Sequence, residues 1–489
     1  MLYTDSLCAT LWAMSPEIVL AFAGLLALCV GAGVRGRASL MPYHCVQMGV
    51  VAALCLSAIL FAQMPVTQNF ETVARVFAID RFSSILKIVT LVTVFFVFLY
   101  AREYNEARQI AAPEYYVLGL FSTVGMLVLI SAASFLMLFL GVELISLPIY
   151  AMIALQRHSG RAIEAGMKYF IVGALASGML LYGISFIFGA TQSLLFMDVA
   201  HAVANMSVDN NPYLAFGLAF LVVGIAFKLG AAPFHVWVPD VFEGAPTSTT
   251  LLVSTAPKVA GLAMALRILA EALPTLSSEW QLMLVLVAVT SMILGNLAAI
   301  VQTNLKRMLA YSSIAHMGYM LLGLLCGTQR GYAAAVFYLL SYVLMTLGAF
   351  GLLTALSRAG LEVENIKDLA GLNSRHPWLA FLLLLLLFSF AGVPPLIGFI
   401  AKVGVLEALI DIHWVWLAVV ALLCAIVGAY YYLNVVKVMY FERSEKEVVR
   451  FTYSSGLSVI LSVNSLLVLV VGVFPGPLFA LCRAILGTT

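Results

Sequence analysis

The stretch LVVGIAFKLGAAPFHVWVPDVFEGAP (221–246) starts as an apolar helix and then breaks, with Gly230 and Pro233 directly after Lys228. Proline removes a helix donor and clashes with the preceding turn, so the chain unwinds there. A second stretch, FSFAGVPPLIGFIAK (388–402), repeats the device, with Gly392, Pro394 and Pro395 ahead of Lys402. Unwound backbone is tolerated in a bilayer only where it is buried in protein or faces a water-filled cavity. Paired Gly/Pro-interrupted segments at corresponding positions point to inverted repeats built around a site near the bilayer midplane.

The rest of the chain fits that class. Of 489 residues, 63% are hydrophobic and 10% charged, where soluble domains carry about 25% charged residues. Apolar stretches of roughly 18–25 residues, long enough to cross a bilayer, recur from end to end. We place membrane spans at 14–33, 42–63, 82–101, 115–131, 134–156, 163–189, 213–231, 248–270, 280–301, 305–326, 331–357, 377–394, 414–440 and 456–485. A short helix over 395–411 continues the twelfth span after its break. The longest connections, around 191–212, 358–376 and 441–455, leave no room for a soluble domain.

Composition also excludes several partners. The net charge is +2 and no Lys/Arg-rich patch exists, so nucleic-acid binding is not expected. The seven cysteines are scattered, mostly within apolar segments, and form no CxxC pair. No iron–sulfur or zinc site is therefore expected in this chain. Asp5 precedes the first apolar run with no Lys or Arg beside it, the wrong sign for a signal peptide, so the run is read as the first span.

Orientation follows from the basic residues. With both termini outside, the inner loops hold Arg35, Arg37, Arg102, Arg108, Arg157, Arg161, Lys306, Arg307, Arg358, Lys367, Arg375, Arg443, Lys446 and Arg450. The outer loops hold only Arg75, Arg81, Arg330 and Arg483. That bias is the positive-inside pattern, and a wrong span count would scramble it.

A weak internal repeat supports two halves. Lys168-Tyr169 followed by GALASGMLLYG (173–183) is similar to YLLSYVLMTLGAFGLL (338–353). These lie in the sixth and eleventh spans, five apart, as are the two broken spans. An odd separation inverts the second copy. The expected fold is an all-α polytopic membrane protein of about fourteen helices, with inverted repeats over helices 4–8 and 9–13. The corresponding segments are 1–110 before the repeats, 111–271, 272–441, and 442–489 after them.

Four charges fall inside spans. Glu143 is about nine residues into its helix, roughly 13 Å deep. Lys228 and Lys402 flank the breaks, and Lys258 follows Pro257 in the eighth span. Charges at such depth are functional candidates. Burial disfavours the charged form of a lysine and a nearby carboxylate favours it. A lysine balanced by Glu143 can therefore take up or release a proton when that pairing changes, whereas arginine would stay protonated. A fixed salt bridge that merely holds helices together is the structural alternative.

His316 lies mid-helix in the tenth span, either as a relay between the halves or as a satisfied core histidine. His235, Asp240 and Glu243 follow the first break and can gate an inner entrance or simply meet solvent. Lys168 and Lys437 sit near inner helix ends, where they can snorkel to the headgroups. Glu407 and Asp411 are placed near the outer surface.

These residues carry a family resemblance. FLGVELISLPIY (139–150), GIAFKLGAAPFHVWVPDVFEGAP (224–246), QTNLKRMLAYSSIAHMGY (302–319), SFAGVPPLIGFIAK (389–402) and YYYLNVVKVMY (430–440) resemble, in order and spacing, subunit N of bacterial respiratory complex I, the proton-translocating NADH:quinone oxidoreductase. The resemblance implies an antiporter-like membrane-arm subunit with two half-channels, in which Glu143, Lys228, Lys258 and Lys402 are the family's membrane carboxylate and lysines. A lysine at 402 fits the N and L types, where the M type carries glutamate. The sequence stops soon after the last span, without the long lateral helix of the L type.

The resemblance also implies no flavin, iron–sulfur cluster or NADH site in this chain. FMN and the clusters belong to partner subunits, and quinone is met only through the complex. Expected partners are the other membrane-arm subunits and the lipid bilayer, with the chain in the bacterial inner membrane and both termini periplasmic. Two other readings share the same residues: a subunit of a multi-subunit cation/proton antiporter or membrane-bound hydrogenase, and a structural membrane scaffold.

Overall fold

The computed structural model describes residues 7–33, 40–63, 71–73, 75–110, 112–204, 206, 211–357, 362–443 and 455–486. In chain order the helices are α1 (Leu7–Ala13), α2 (Ser15–Gly33), α3 (Met41–Gln63), α4 (Arg81–Ala107), α5 (Ala112–Ile130), α6 (Phe135–Ile153), α7 (Gly160–Thr191), α8 (Phe196–Val203) and α9 (Pro212–Leu229). They continue with α10 (Trp237–Gly244), α11 (Thr247–Val253), α12 (Ala256–Leu266), α13 (Ser277–Ile300), α14 (Leu305–Leu325), α15 (Gln329–Leu356) and α16 (Leu372–Arg375). The last are α17 (Pro377–Ala391), α18 (Ile397–Asp411), α19 (Val415–Phe441), α20 (Ser455–Val473) and α21 (Gly476–Leu486). One short antiparallel hairpin, β1 (Glu71–Val73) with β2 (Phe77–Ile79), precedes α4.

Helix starts are written in local side-chain chemistry. Asp80, Ser134, Ser159, Asn211, Asn304 and Thr328 each accept a hydrogen bond from a backbone N–H of the first turn, satisfying donors that a helix leaves orphaned. Thirteen membrane-length apolar spans are found among the described residues, the thirteen counting α11, α12 and the π-turn Arg267–Ala272 as one. The expected twelfth span and the short helix expected after its break are α17 and α18, each shorter than a full crossing and so outside that count. The expected last span, 456–485, is also divided: α20 ends at Val473 and α21 begins after Pro475, whose ring cannot continue a helix.

At the centre, α11, α12, α14 and α15 are buried almost throughout, while α2, α3, α7, α19 and α20 show an outer apolar face. Such a face is the normal surface of a helix that meets lipid or another membrane protein.

Both expected breaks are present. α9 ends at Gly230 with φ 71°, and an irregular turn leads into α10. α17 ends at Gly392 with φ 88°, and α18 begins at Ile397, after four intervening residues. Ala232–Pro233 and Pro394–Pro395 are cis peptides. The freed backbone is satisfied within the protein: Ala232 N–H donates to Ser291 Oγ at 2.8 Å, and Gly398 N–H to Ser389 Oγ at 3.1 Å. A third interruption, at Ser254 and Thr255, separates α11 from α12 and sits just before Lys258.

Several buried charges were not among the candidates read from the sequence. Arg267 is fully buried in the π-turn and pairs with Asp80 at 2.7 Å and Glu271 at 2.6 Å. Lys87 of α4 pairs with Glu17 of α2 at 2.7 Å. Lys306, expected in an inner loop, is instead in the first turn of α14 and 2% exposed, donating to the Ala245 carbonyl at 3.0 Å. Nearby, Glu362 accepts from Tyr104 and Thr247 and pairs with Arg108 at 3.1 Å. Burial alone would raise the Glu362 carboxyl, but Lys306 and Arg108 hold it below the usual carboxylate value. Of the basic residues counted for orientation, Arg35, Arg37, Arg358, Lys446 and Arg450 lie outside the described residues.

The breaks depend on glycine. At Gly392 a β-carbon would meet Lys402 Cδ at 3.0 Å on top of the left-handed φ. Gly392→Ala is expected to destabilise the fold by about 1–2 kcal/mol, read as a lower thermal unfolding midpoint in detergent. Gly456→Ala, where a β-carbon meets nothing within 4 Å, should leave the midpoint in place.

Candidate functional site

The first half of the site is built on α6, α7, α9 and α12. Lys228, in the last turn of α9, is 7% exposed, and its ammonium donates to Ser146 Oγ of α6 at 2.9 Å. The pairing with Glu143 expected from the sequence is not made: no ion pair within 4.0 Å joins them. Glu143 lies one helical turn before Ser146, is half-buried, and accepts a hydrogen bond from Ser177 of α7. Lys258, 1% exposed on α12, reaches the Leu229 carbonyl and lies 5.7 Å from the Trp237 ring centre.

The second half repeats the logic. Lys402, in the second turn of α18, donates to the Phe390 and Ala391 carbonyls at 3.0 and 2.9 Å, and its nitrogen lies 5.4 Å from the Tyr319 ring centre. The two accepting carbonyls end α17 as the Leu229 carbonyl ends α9. A helix C-terminus carries a partial negative charge and carbonyls with no intrahelical donor. In each half, a lysine ammonium supplies the missing donor and the positive charge. Both ammonium groups also stand over the left-handed glycine: a β-carbon on Gly230 would be 3.1 Å from Lys258 Nζ, and one on Gly392 3.1 Å from Lys402 Nζ.

His316, on α14, is 3% exposed and satisfied on both ring nitrogens: Nδ1 is 2.7 Å from Tyr338 Oη and Nε2 is 3.1 Å from Tyr432 Oη. Tyr432 in turn hydrogen-bonds Ser312, and Tyr342 donates to Ser313 at 2.7 Å. Neutral imidazole offers one donor and one acceptor, and a phenol can take either part, so this cluster can pass a proton by exchanging roles. The sequence named His316 but not its tyrosines, whose only local mark is polarity inside apolar helices.

The segment after the first break meets the N-terminal turns of α7 and α14. Arg307 donates to Asp240 at 2.8 Å and to Glu243 at 2.9 Å, and Lys168 donates to Asp240 at 2.9 Å while also pairing with Glu164. Lys168 is thus held by two carboxylates. His235 is half-buried in the unwound turn and belongs to neither cluster of bonds. Among the described residues no group of His, Cys, Asp and Glu is placed to hold a metal ion.

Residues 132–428 match the family model described as NADH:quinone oxidoreductase/Mrp antiporter, TM. Among curated relatives, NADH-quinone oxidoreductase subunit N of Coxiella burnetii is 56% identical, with 95% of this chain and 96% of that one covered. Subunit N of Thioalkalivibrio sulfidiphilus is 51% identical, with 87% and 88% covered. Among solved structures, a chain of respiratory complex I from Thermus thermophilus is 31% identical with a TM-score of 0.80, over 95% of this chain and 98% of that one. A chain of an archaeal membrane-bound sulfane sulfur reductase is 25% identical with a TM-score of 0.85, over 99% and 98%. With the family model matching more than half of the chain and these relatives 56% and 51% identical over most of both chains, the chain belongs to the antiporter-like membrane subunits of NADH:quinone oxidoreductase, in the subunit N family.

Proposed function

We propose that this chain is a proton-translocating membrane-arm subunit of an NADH:quinone oxidoreductase, in the bacterial inner membrane with both termini periplasmic. The observation that carries the proposal is the repeated one: a lysine ammonium, buried at Lys258 and half-buried at Lys402, at the carbonyl end of each broken helix. The four segments 1–110, 111–271, 272–441 and 442–489 and the inverted five-helix repeats are the frame we assign to it, with α17 and α18 as one broken span of fourteen.

The lysines hold the proton in transit. The helix-end carbonyls favour the ammonium without neutralising it, and a lysine that turns away from them loses that support. Asp240, Glu243, Lys168 and His235 form the inner access, where a proton enters toward Lys228 and Lys258. His316 and its tyrosines, on α14, α15 and α19, carry the proton on toward Lys402, from which it leaves on the outer side. Glu143 biases the charge of Lys228. The chain itself holds no redox group in this proposal: FMN and iron–sulfur clusters sit in partner subunits, and the energy of quinone reduction arrives through neighbouring membrane-arm subunits.

The family model's description also names the Mrp antiporter, so the second reading is a subunit of a cation/proton antiporter. Purification of the tagged chain in mild detergent separates the two. Co-purifying NADH:quinone oxidoreductase activity supports the proposal, and an assembly of small membrane proteins alone supports the antiporter.

Replacing Lys228 and Lys402 by methionine in the intact complex, reconstituted in liposomes, is expected to lower the number of protons moved per electron pair; an unchanged ratio would overturn the proposal. Lys402→Arg retains charge and length, yet arginine stays protonated, so it should block transport as methionine does. Wild-type pumping by Lys402→Arg would show that position 402 has a packing role only.

A further inference from the structure

We infer that Ser146 is a second docking position for the Lys228 ammonium, so that the lysine alternates between a carboxylate and a hydroxyl one helical turn apart. This rests on the function proposed above and adds a positioning residue to it. Glu143 and Ser146 are three residues apart on α6, which separates them by about 4.5 Å along the axis on one face of the helix. The four-carbon lysine stem covers that distance by changing rotamers.

The two positions differ in chemistry. A carboxylate is an acceptor only and favours the ammonium form of its partner. A hydroxyl both donates and accepts. In this structure the Ser146 hydroxyl donates to the Val142 carbonyl at 2.6 Å and accepts from Lys228 Nζ at 2.9 Å. Turning its proton from Val142 to the lysine would let it donate to a neutral amine. Ser146 therefore accommodates Lys228 in either protonation state, as a position from which a proton is passed on requires.

The carboxylate left behind is provided for. Ser177, on α7, donates to Glu143 while Lys228 is on Ser146. Without it, a half-buried carboxylate would lose a hydrogen bond each time the lysine moved away, at the cost of an unsatisfied charged group. Both hydroxyls point to an open form of the Glu143–Lys228 pair that is a defined state.

The test is a double-mutant cycle in the intact complex, reading NADH-driven proton uptake per assembled complex in proteoliposomes. Ser146→Ala is expected to slow uptake about tenfold, the factor that one hydrogen bond to a charged group supplies. Ser146→Thr, which keeps the hydroxyl, should restore most of it. In a Glu143→Gln background, Ser146→Ala should cause little further loss, because the lysine no longer has two unlike positions. Wild-type uptake by Ser146→Ala, or the same tenfold loss in both backgrounds, would overturn the inference and leave Ser146 a packing residue. Unchanged proton stoichiometry in Lys228→Met would instead sink the underlying function, whatever the serine variants do.

Discussion

Backbone polar groups inside a bilayer have no water to turn to, so each must find a partner within the protein. Everything distinctive here follows from where that rule is strained. The continuous helices satisfy it by themselves. α9 and α17 do not, because Gly230 and Gly392 turn the chain away while the last carbonyls of each helix still need donors. Lysine 258 and lysine 402 supply them. The fold thus places positive charge at the two places where it breaks helices, and in the proposed function structural support and proton chemistry share the same atoms.

That sharing limits what each lysine can do. A lysine enclosed by carboxylates on every side would be a fixed ion pair, as Arg267 is with Asp80 and Glu271. Helix-end carbonyls and hydroxyls are weaker partners, so the ammonium is held in place without being fixed in charge. The contrast runs through the molecule. Other ion pairs join Lys168 and Arg307 to Asp240, Arg330 to Glu407, and Lys87 to Glu17. Lys228, Lys258 and Lys402 make their hydrogen bonds to neutral groups.

The breaks also bring distant parts of the chain together. The turn after α9 is tied to α13 through Ser291, and α10 to α14 through Arg307. Lys306 binds the end of α10, and the Glu362 cluster joins α4, α11 and the segment ahead of α16. These contacts tie the first broken helix to α13 and α14, which belong to the second half in the frame proposed above.

The membrane class, the two breaks, most of the spans and the lysines beside the breaks were legible in the sequence. They rest on local signals: hydropathy over a bilayer's thickness, proline's missing donor, and charges isolated in apolar runs. The partner of each charge was not legible. Glu143 is the one acidic residue near enough in kind to expect for Lys228, yet the ammonium rests on Ser146, 82 residues away in the chain. The Leu229 carbonyl lies 29 residues from Lys258, and a carbonyl leaves no mark in a sequence at all. Lys306 reads as a loop cation, and only the packing of α10 against α14 buries it. Sequence determined which residues are costly to place in a membrane; tertiary structure alone decided what offsets that cost, because pairing across helices depends on their packing and not on any period along one of them.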